Sequence, residues 1–261
     1  MRAVPELAGL DFTALWTWAL LFVRMTGLFS SMPGIGTEQV PESLRILPAL
    51  IIAACVAMSG TSAAFPEHLA EGGLMVITEF LLGYVLGAIP MFVMSGMTVA
   101  GQVISGSIGL GQANMIDQSL GESISVLSRL KAQVAILVFL SIDGHLAMIR
   151  AASTTSGDLG IGMFRPGEET MTILLNRFIA SFELALAISA PVLVTALVTN
   201  FVLGLVTKFV PQVNIFIISL PLAIIVGFFI VAATFTGLSL HATHELSLID
   251  EFAQRVLMAN G

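Results

Sequence analysis

The chain has 261 residues, of which 10% are charged and 56% are hydrophobic, and its formal net charge is −7. A soluble domain carries about 25% charged residues, so a water-soluble fold of this size could not cover so much apolar surface. The composition also excludes a disordered chain, a disulfide scaffold (there is one cysteine) and a nucleic-acid-binding protein, because only ten basic residues are spread along it. An integral membrane protein remains.

Six apolar segments follow one another along the chain. A membrane-spanning helix needs roughly 20 mostly apolar residues, and the segments that reach or approach this length are 12–32, 46–65, 74–100, 134–149, 178–206 and 215–238. Their apolar residues are consecutive rather than alternating, which favours helices over strands. The sequence therefore predicts an all-α integral membrane protein with about six long hydrophobic helices. We expect Cys55 to be buried and unreactive within the second helix.

Prolines and glycines modify these helices. Pro90, Pro191 and Pro221 each remove a backbone donor inside an apolar segment, so each should kink or break its helix. The kinks are either simply tolerated or belong to broken helices around a shared cavity. Gly83 and Gly87 share one helix face at a spacing of four residues, which favours close packing against a second helix.

Three charged residues, Arg24, Glu79 and Glu183, lie within apolar segments. A charge in the middle of a bilayer costs several kcal/mol unless it is paired or reaches water. Three interpretations stay open. The charges form a functional site, an Arg–Glu pair locks two helices together, or these segments lie inside a larger assembly rather than in lipid.

The stretch 101–121 is the least helix-like part of the chain. It holds five glycines in 21 residues, and each lowers helix stability by about 1 kcal/mol relative to alanine. The stretch is nevertheless apolar, so an irregular backbone here belongs in protein or in a cavity rather than in lipid. A plain connecting loop is the alternative. No motif for nucleotide binding or nucleophilic catalysis appears, and we expect no enzyme activity, cofactor or metal site.

Several short motifs along the chain resemble those of one known protein family. The sequence Val23-Arg24-Met25-Thr26-Gly27-Leu28, followed by Pro33-Gly34 and Val40-Pro41, resembles the opening of that family. Gly101-Gln102 with Gly109, Gly111 and Asp117 resembles its central glycine-rich segment, and Asp143-Gly144-His145 resembles its Asn-Gly-His step. The most specific run is Pro211-Gln212-x-Asn214-Ile215-Phe216, with Pro221 and Gly227 after it. The family that these motifs resemble is the FliR family of flagellar export-gate proteins, and the resemblance covers nearly the whole chain.

The resemblance implies a subunit of the type III secretion export gate, located in the bacterial inner membrane within the flagellar basal body. Its expected partners are FliP and FliQ, joined by FlhB and FlhA, and unfolded flagellar subunits are expected to pass through the shared pore. The family architecture implies a FliP-like part (1–177), a FliQ-like helical hairpin (178–238) and a C-terminal tail (239–261).

The resemblance also assigns two sites. The central glycine-rich loop, about 101–121, is expected to plug the pore through Gly106, Ile108, Gly109, Leu110, Gly111 and Met115. The short connection inside the hairpin is expected at the cytoplasmic mouth, with Lys208, Pro211, Gln212 and Asn214. Two alternatives stay open: a homologue from a virulence injectisome, and, more distantly, a small secondary transporter.

Overall fold

The computed structural model describes residues 12–36, 40–60, 62–109, 126–154, 160–209, 219, 221–233 and 248–258. Every regular element in these ranges is an α-helix, which confirms the predicted fold class. The eight described helices are α1 (Phe12–Ser31), α2 (Glu42–Ala57), α3 (Leu69–Ser107), α4 (Val126–Ser141), α5 (Gly144–Thr154), α6 (Glu168–Phe209), α7 (Pro221–Ala233) and α8 (Ile249–Met258).

The chain divides into two compact units that are each built from separated parts of the sequence. The first unit comprises Met1–Met91, Leu140–Arg177 and Leu246–Gly261, and the second comprises Phe92–Phe139 and Phe178–Glu245. Helices α3 and α6 each contribute to both units. The FliP-like and FliQ-like parts expected from the family stay a prediction.

Three helices, α1, α3 and α6, are long and apolar enough to cross a membrane. The bent pair formed by α4 and α5 counts as a fourth candidate, and all four were found among the described residues. Helix α2 is shorter than the expected segment because it ends at Ala57. The chain turns at Gly60, where φ is 89°, and the backbone N–H of Ala63 then donates to Thr17 Oγ1 on α1.

The prediction that Cys55 is buried is wrong, because its side chain is exposed. Leu47 and Ile51, on the same helix, are also more than half exposed. An apolar segment of a membrane protein can present its side chains to lipid or to other subunits, so hydrophobicity alone does not imply burial within one chain.

The bend of 59° between α4 and α5 occurs at Asp143. Asp143 has a φ of 57°, a left-handed conformation that asparagine and aspartate tolerate better than most residues. Its carbonyl accepts from the N–H groups of Leu146 and Ala147, so it starts α5 directly after α4 ends. This conformation suits the aspartate of this chain as well as the asparagine of the Asn-Gly-His step that Asp143-Gly144-His145 resembles.

Prolines do not break the two longest helices. Pro90 lies inside α3 and Pro191 inside α6, and both helices continue past them, over 39 and 42 residues respectively. Each proline leaves the carbonyl four residues before it, that of Leu86 or Ala187, without its usual helical N–H donor. A third proline, Pro48, lies inside α2.

Helices α1 and α3 cross with their backbones in direct contact in the first unit. A Cβ atom on Gly83 would overlap the carbonyl oxygen of Arg24, and one on Gly87 would overlap Ser31 Oγ. From the other side, a Cβ on Gly27 would overlap the carbonyl of Phe80. Ser31 Oγ also donates to the carbonyl of Tyr84 at 2.9 Å. The glycines therefore set how closely these helices approach.

Replacing Gly83 by alanine should destabilise the protein by about 1–3 kcal/mol, the usual cost of overpacking, because the Arg24 carbonyl belongs to a helix backbone that cannot rotate away. Gly73 on the same helix is the matched control, since no atom lies within 4 Å of the place its Cβ would occupy. Gly73→Ala should be neutral or slightly stabilising. Thermal unfolding of both variants in detergent measures the difference, and equal melting temperatures would contradict the close crossing.

Two further glycines of α3 allow equally close helix contacts in the second unit. A Cβ on Gly96 of α3 would lie 2.5 Å from the carbonyl oxygen of Ser181 on α6. A Cβ on Gly101 would lie 2.6 Å from Cα of Ser128 on α4. Small residues thus let α3 pack tightly against both α4 and α6.

Helix α8 packs against α5 in the first unit. Its Ala253 and Val256 are fully buried. The ring of Phe252 is close to two guanidinium groups, with Cζ of Arg177 at 3.5 Å from the ring centroid and Cζ of Arg255 at 5.5 Å. Cation–π attraction and apolar burial together hold this C-terminal helix in place.

Candidate functional site

Arg24 and Glu79 form the buried polar centre of the first unit. Arg24 lies on α1 and Glu79 on α3, and neither side chain has any exposed surface. Arg24 Nε donates to Glu79 Oε2 at 2.5 Å, and Arg24 Nη2 donates to Glu79 Oε1 at 2.9 Å. The planar guanidinium thus meets the carboxylate through two parallel bonds, the strongest arrangement for such a pair.

Two backbone groups complete this centre. Arg24 Nη1 donates to the carbonyl of Ala152, near the end of α5, at 3.1 Å. Glu79 Oε1 accepts from the N–H of Gly162 at 2.5 Å. Gly162 lies in a turn and has a φ of 83°, a conformation that suits glycine and presents its N–H to the carboxylate. One ion pair therefore joins α1, α3, α5 and the turn before α6.

This arrangement is a clamp rather than a reaction centre. Both charges are compensated, and their hydrogen bonds go to groups fixed by helices or by a glycine turn. Such a pair is costly to break, because removing one partner leaves the other charge buried and unpaired. It fixes the relative positions of four segments of the first unit.

Glu183 has a different environment. It lies on α6 in the second unit, and its side chain is exposed. It forms no ion pair among the described residues. The three charges in apolar segments therefore divide into a buried pair in the first unit and an exposed carboxylate in the second.

Half of the expected plug residues lie in the described part of the chain. Gly106 belongs to the last turns of α3, which is helical to Ser107 although it contains two glycines after residue 100. Ile108 is buried and packs against Gly227 of α7. Gly109 ends the helix with a φ of 83°, the usual glycine C-cap conformation. Leu110, Gly111 and Met115 lie outside the described residues.

The expected hairpin loop begins later than the sequence analysis placed it. Lys208 lies in the last turn of α6, which extends to Phe209, and its side chain is exposed. A cation in this position interacts favourably with the negative end of the helix dipole. Pro211, Gln212 and Asn214 lie outside the described residues.

Comparison with protein-family models matches residues 15–249 to bacterial export proteins, family 1. The chain belongs to this family. A flagellar biosynthetic protein FliR from Caulobacter vibrioides is 28% identical over 237 residues, which cover 90% of this chain and 94% of the relative. The FliR of Escherichia coli is 28% identical over 95% of both chains, and that of Bacillus subtilis is 27% identical over 93% of this chain and 95% of its own.

The match to the family of bacterial export proteins runs from α1 to the first residue of α8. It includes Arg24, Glu79 and Glu183.

The protein also buries a charged residue, Lys131, that was not among the residues predicted from the sequence. Lys131 of α4 is 3% exposed, and its Nζ has no hydrogen-bond partner among the described residues. The one feature of the sequence that could have pointed to Lys131 is its position at the edge of an apolar segment.

Proposed function

We propose that this protein is a non-catalytic subunit of the flagellar type III export gate, which with FliP and FliQ forms the pore for unfolded flagellar subunits. The observation that carries the proposal is the family match over residues 15–249, together with relatives named flagellar biosynthetic protein FliR that align over nearly their full length. FlhB and FlhA would be further partners, and the location would be the flagellar basal body in the inner membrane.

The large exposed apolar surface supports a role within an assembly. Leu186, Val194 and Leu197 of α6 are each more than 60% exposed, and Leu137 of α4 is 65% exposed. Helices of this kind need lipid or neighbouring subunits to cover them. In this proposal, residues 1–177 correspond to a FliP-like part, 178–238 to a FliQ-like hairpin and 239–261 to a C-terminal tail.

The end of α3 supports a plug that starts from a fixed anchor. Ile108 is held against Gly227, and Gly109 then turns the chain out of the helix. The segment that follows would project into the pore and occupy it with the apolar side chains of Leu110 and Met115.

Two alternatives are less well supported. A secondary transporter would need intramembrane charges that are available to bind substrate or protons. Of the three charges in apolar segments, Arg24 and Glu79 neutralise each other, so Glu183 alone would have to serve. An injectisome subunit would share this architecture, but the three relatives described above carry flagellar names.

Co-expression with the FliP and FliQ homologues of the same genome tests the proposed function. Affinity purification through a tag on this chain should recover one discrete complex that contains all three proteins. In the native host, deletion of its gene should abolish secretion of flagellar subunits and swimming. A stable monomer with no affinity for those two proteins would contradict the proposal.

The orientation of the hairpin gives a separate prediction. Basic residues in short loops favour the cytoplasmic side, so Lys208 should face the cytoplasm. A Lys208→Cys variant in a Cys55→Ser background should react with an impermeant thiol reagent only after the cytoplasmic side is opened. The background change is required because Cys55 is itself exposed. Labelling from the periplasmic side alone would reverse the proposed topology.

A further inference from the structure

Glu183 is the only charged residue of α6 between Arg177 and Lys208. It lies opposite the side of α6 that packs within the second unit, where Leu184, Ile188 and Val192 are buried. Its own side carries a line of exposed apolar residues, which with Glu183 we call the outer stripe: Ile179, Glu183, Leu186, Val194, Leu197 and Phe201. The carboxylate thus has exposed apolar side chains both before and after it along the helix.

The outer face of α6 is longer than the hydrocarbon core of a bilayer. From Phe178 to Phe209 the helix is about 48 Å long at about 1.5 Å per residue, whereas the hydrocarbon core of a bilayer is about 30 Å thick. Even at a tilt of 40°, the upper end of the usual range, it would span about 37 Å. The apolar face of α6 is thus longer than the hydrocarbon core even when the helix is tilted, and contact with a neighbouring protein is one way to cover the excess.

The carboxylate requires a counter-charge if it is covered. An ionised side chain in an apolar environment costs several kcal/mol unless it is paired. None of the ion pairs in the described part of the chain involves Glu183. Nine of the ten lysines and arginines lie in that part, and the remaining one is Arg2. None of these nine pairs with Glu183, so the described part of the chain supplies no counter-charge for it.

We propose that the outer stripe binds an apolar helix of a neighbouring gate subunit, which places a lysine or arginine side chain level with Glu183. This interface rests on the proposed function and adds the chemistry of the partner to it. The apolar residues supply the contact area, and the ion pair fixes the register of the two helices, because a shift along the stripe would leave both charges unpaired.

Charge substitutions in the co-expressed complex test the interface. Glu183→Lys should lower the recovery of partner chains by at least about tenfold, because it brings two cations together, and Glu183→Gln should have a smaller effect in the same direction. Glu251→Lys is the control, since Glu251 is an exposed carboxylate on α8, and it should leave recovery unchanged. In the Glu183→Lys background, changing the paired basic residue of the partner to glutamate should restore the complex.

A second measurement does not depend on the stability of the variants. A photo-crosslinking amino acid at position 186, about five-sixths of a helical turn from Glu183, should form an adduct with a partner subunit. Adducts with lipid only would overturn the interface. It would also be overturned if the Glu183→Lys variant recovered as much partner protein as a wild-type chain that does recover its partners. A wild-type chain that recovers no partner would instead overturn the proposed function on which the interface rests.

Discussion

Glu79→Gln is expected to destabilise the protein by about 3–5 kcal/mol, because the Arg24 guanidinium would stay buried without its counter-charge. Both side chains are fully buried, and Glu79 also accepts from the N–H of Gly162. A loss of this size is a large fraction of the stability of an ordinary domain. Melting of the purified complex in detergent, together with the amount of protein in the membrane, measures the effect.

Exchanging the two charged residues tests whether their hydrogen bonds to the backbone stabilise the protein in addition to the ion pair. In Arg24→Glu with Glu79→Arg, a carboxylate would face the Ala152 carbonyl and a guanidinium would face the Gly162 N–H. The exchanged protein should therefore remain as unstable as the single variant. Glu251→Gln is the matched control, because this exposed carboxylate pairs with Arg255 at the surface and should contribute no more than about 1 kcal/mol. Normal stability of the exchanged protein would show that the backbone partners are unimportant.

Removal of residues 110–121 should leave the complex assembled but make the membrane permeable to ions and small solutes. The deletion begins at residue 110 because α3 is helical to Ser107 and Ile108 packs against Gly227. A closed state that a substrate chain can displace need only be a few kcal/mol deep, so losing the apolar side chains of the plug should be enough to open it. Conductance of membranes from cells that produce the variant checks this.

A variant in which the same twelve residues are replaced by glycine and serine controls for chain length. It should leak as well, because the length is kept and only the apolar bulk is lost. If this segment instead helped to build the wall of the pore, the deletion would abolish the complex without any leak. An assembled deletion variant with a tight membrane would remove the plug from the proposed function.

The helical class and most helix positions follow from the length of the continuous apolar segments, but the tertiary contacts alter the boundaries. The sequence predicts that the glycines after residue 100 weaken α3, yet this helix continues to Ser107. The close contact of Gly101 with Ser128 supplies packing that intrinsic propensity does not include. In the same way, α2 ends at Ala57 because the following chain turns at Gly60 and bonds to Thr17 on another helix.

The buried pair of Arg24 and Glu79 shows a second limit of prediction from the sequence. The sequence identifies Arg24 and Glu79 as unusual charges and includes their pairing among its interpretations. It does not distinguish that pair from Glu183, because the partners are 55 residues apart. The Ala152 carbonyl and the Gly162 N–H are backbone groups that every residue type except proline carries in full, so their roles leave almost no trace in the sequence. The exposure of Cys55 was missed for a simpler reason, since apolar surroundings in sequence do not reveal which surfaces lipid or other chains cover.

The placement of α8 has a consequence for biosynthesis. The first unit needs residues from the beginning, the middle and the end of the chain, and Phe252 contacts Arg177 only after α8 has been made. At about 5–20 residues per second, a ribosome takes roughly 13–50 s to translate the whole chain. Residues 178–248, which separate the middle part of the first unit from α8, take roughly 4–14 s of that time, and until they have been made the unit lacks its final helix. The surface of α5 that receives α8 is therefore open to chaperones or to wrong partners until translation ends, and a nonsense mutation near the C-terminus would leave it open permanently.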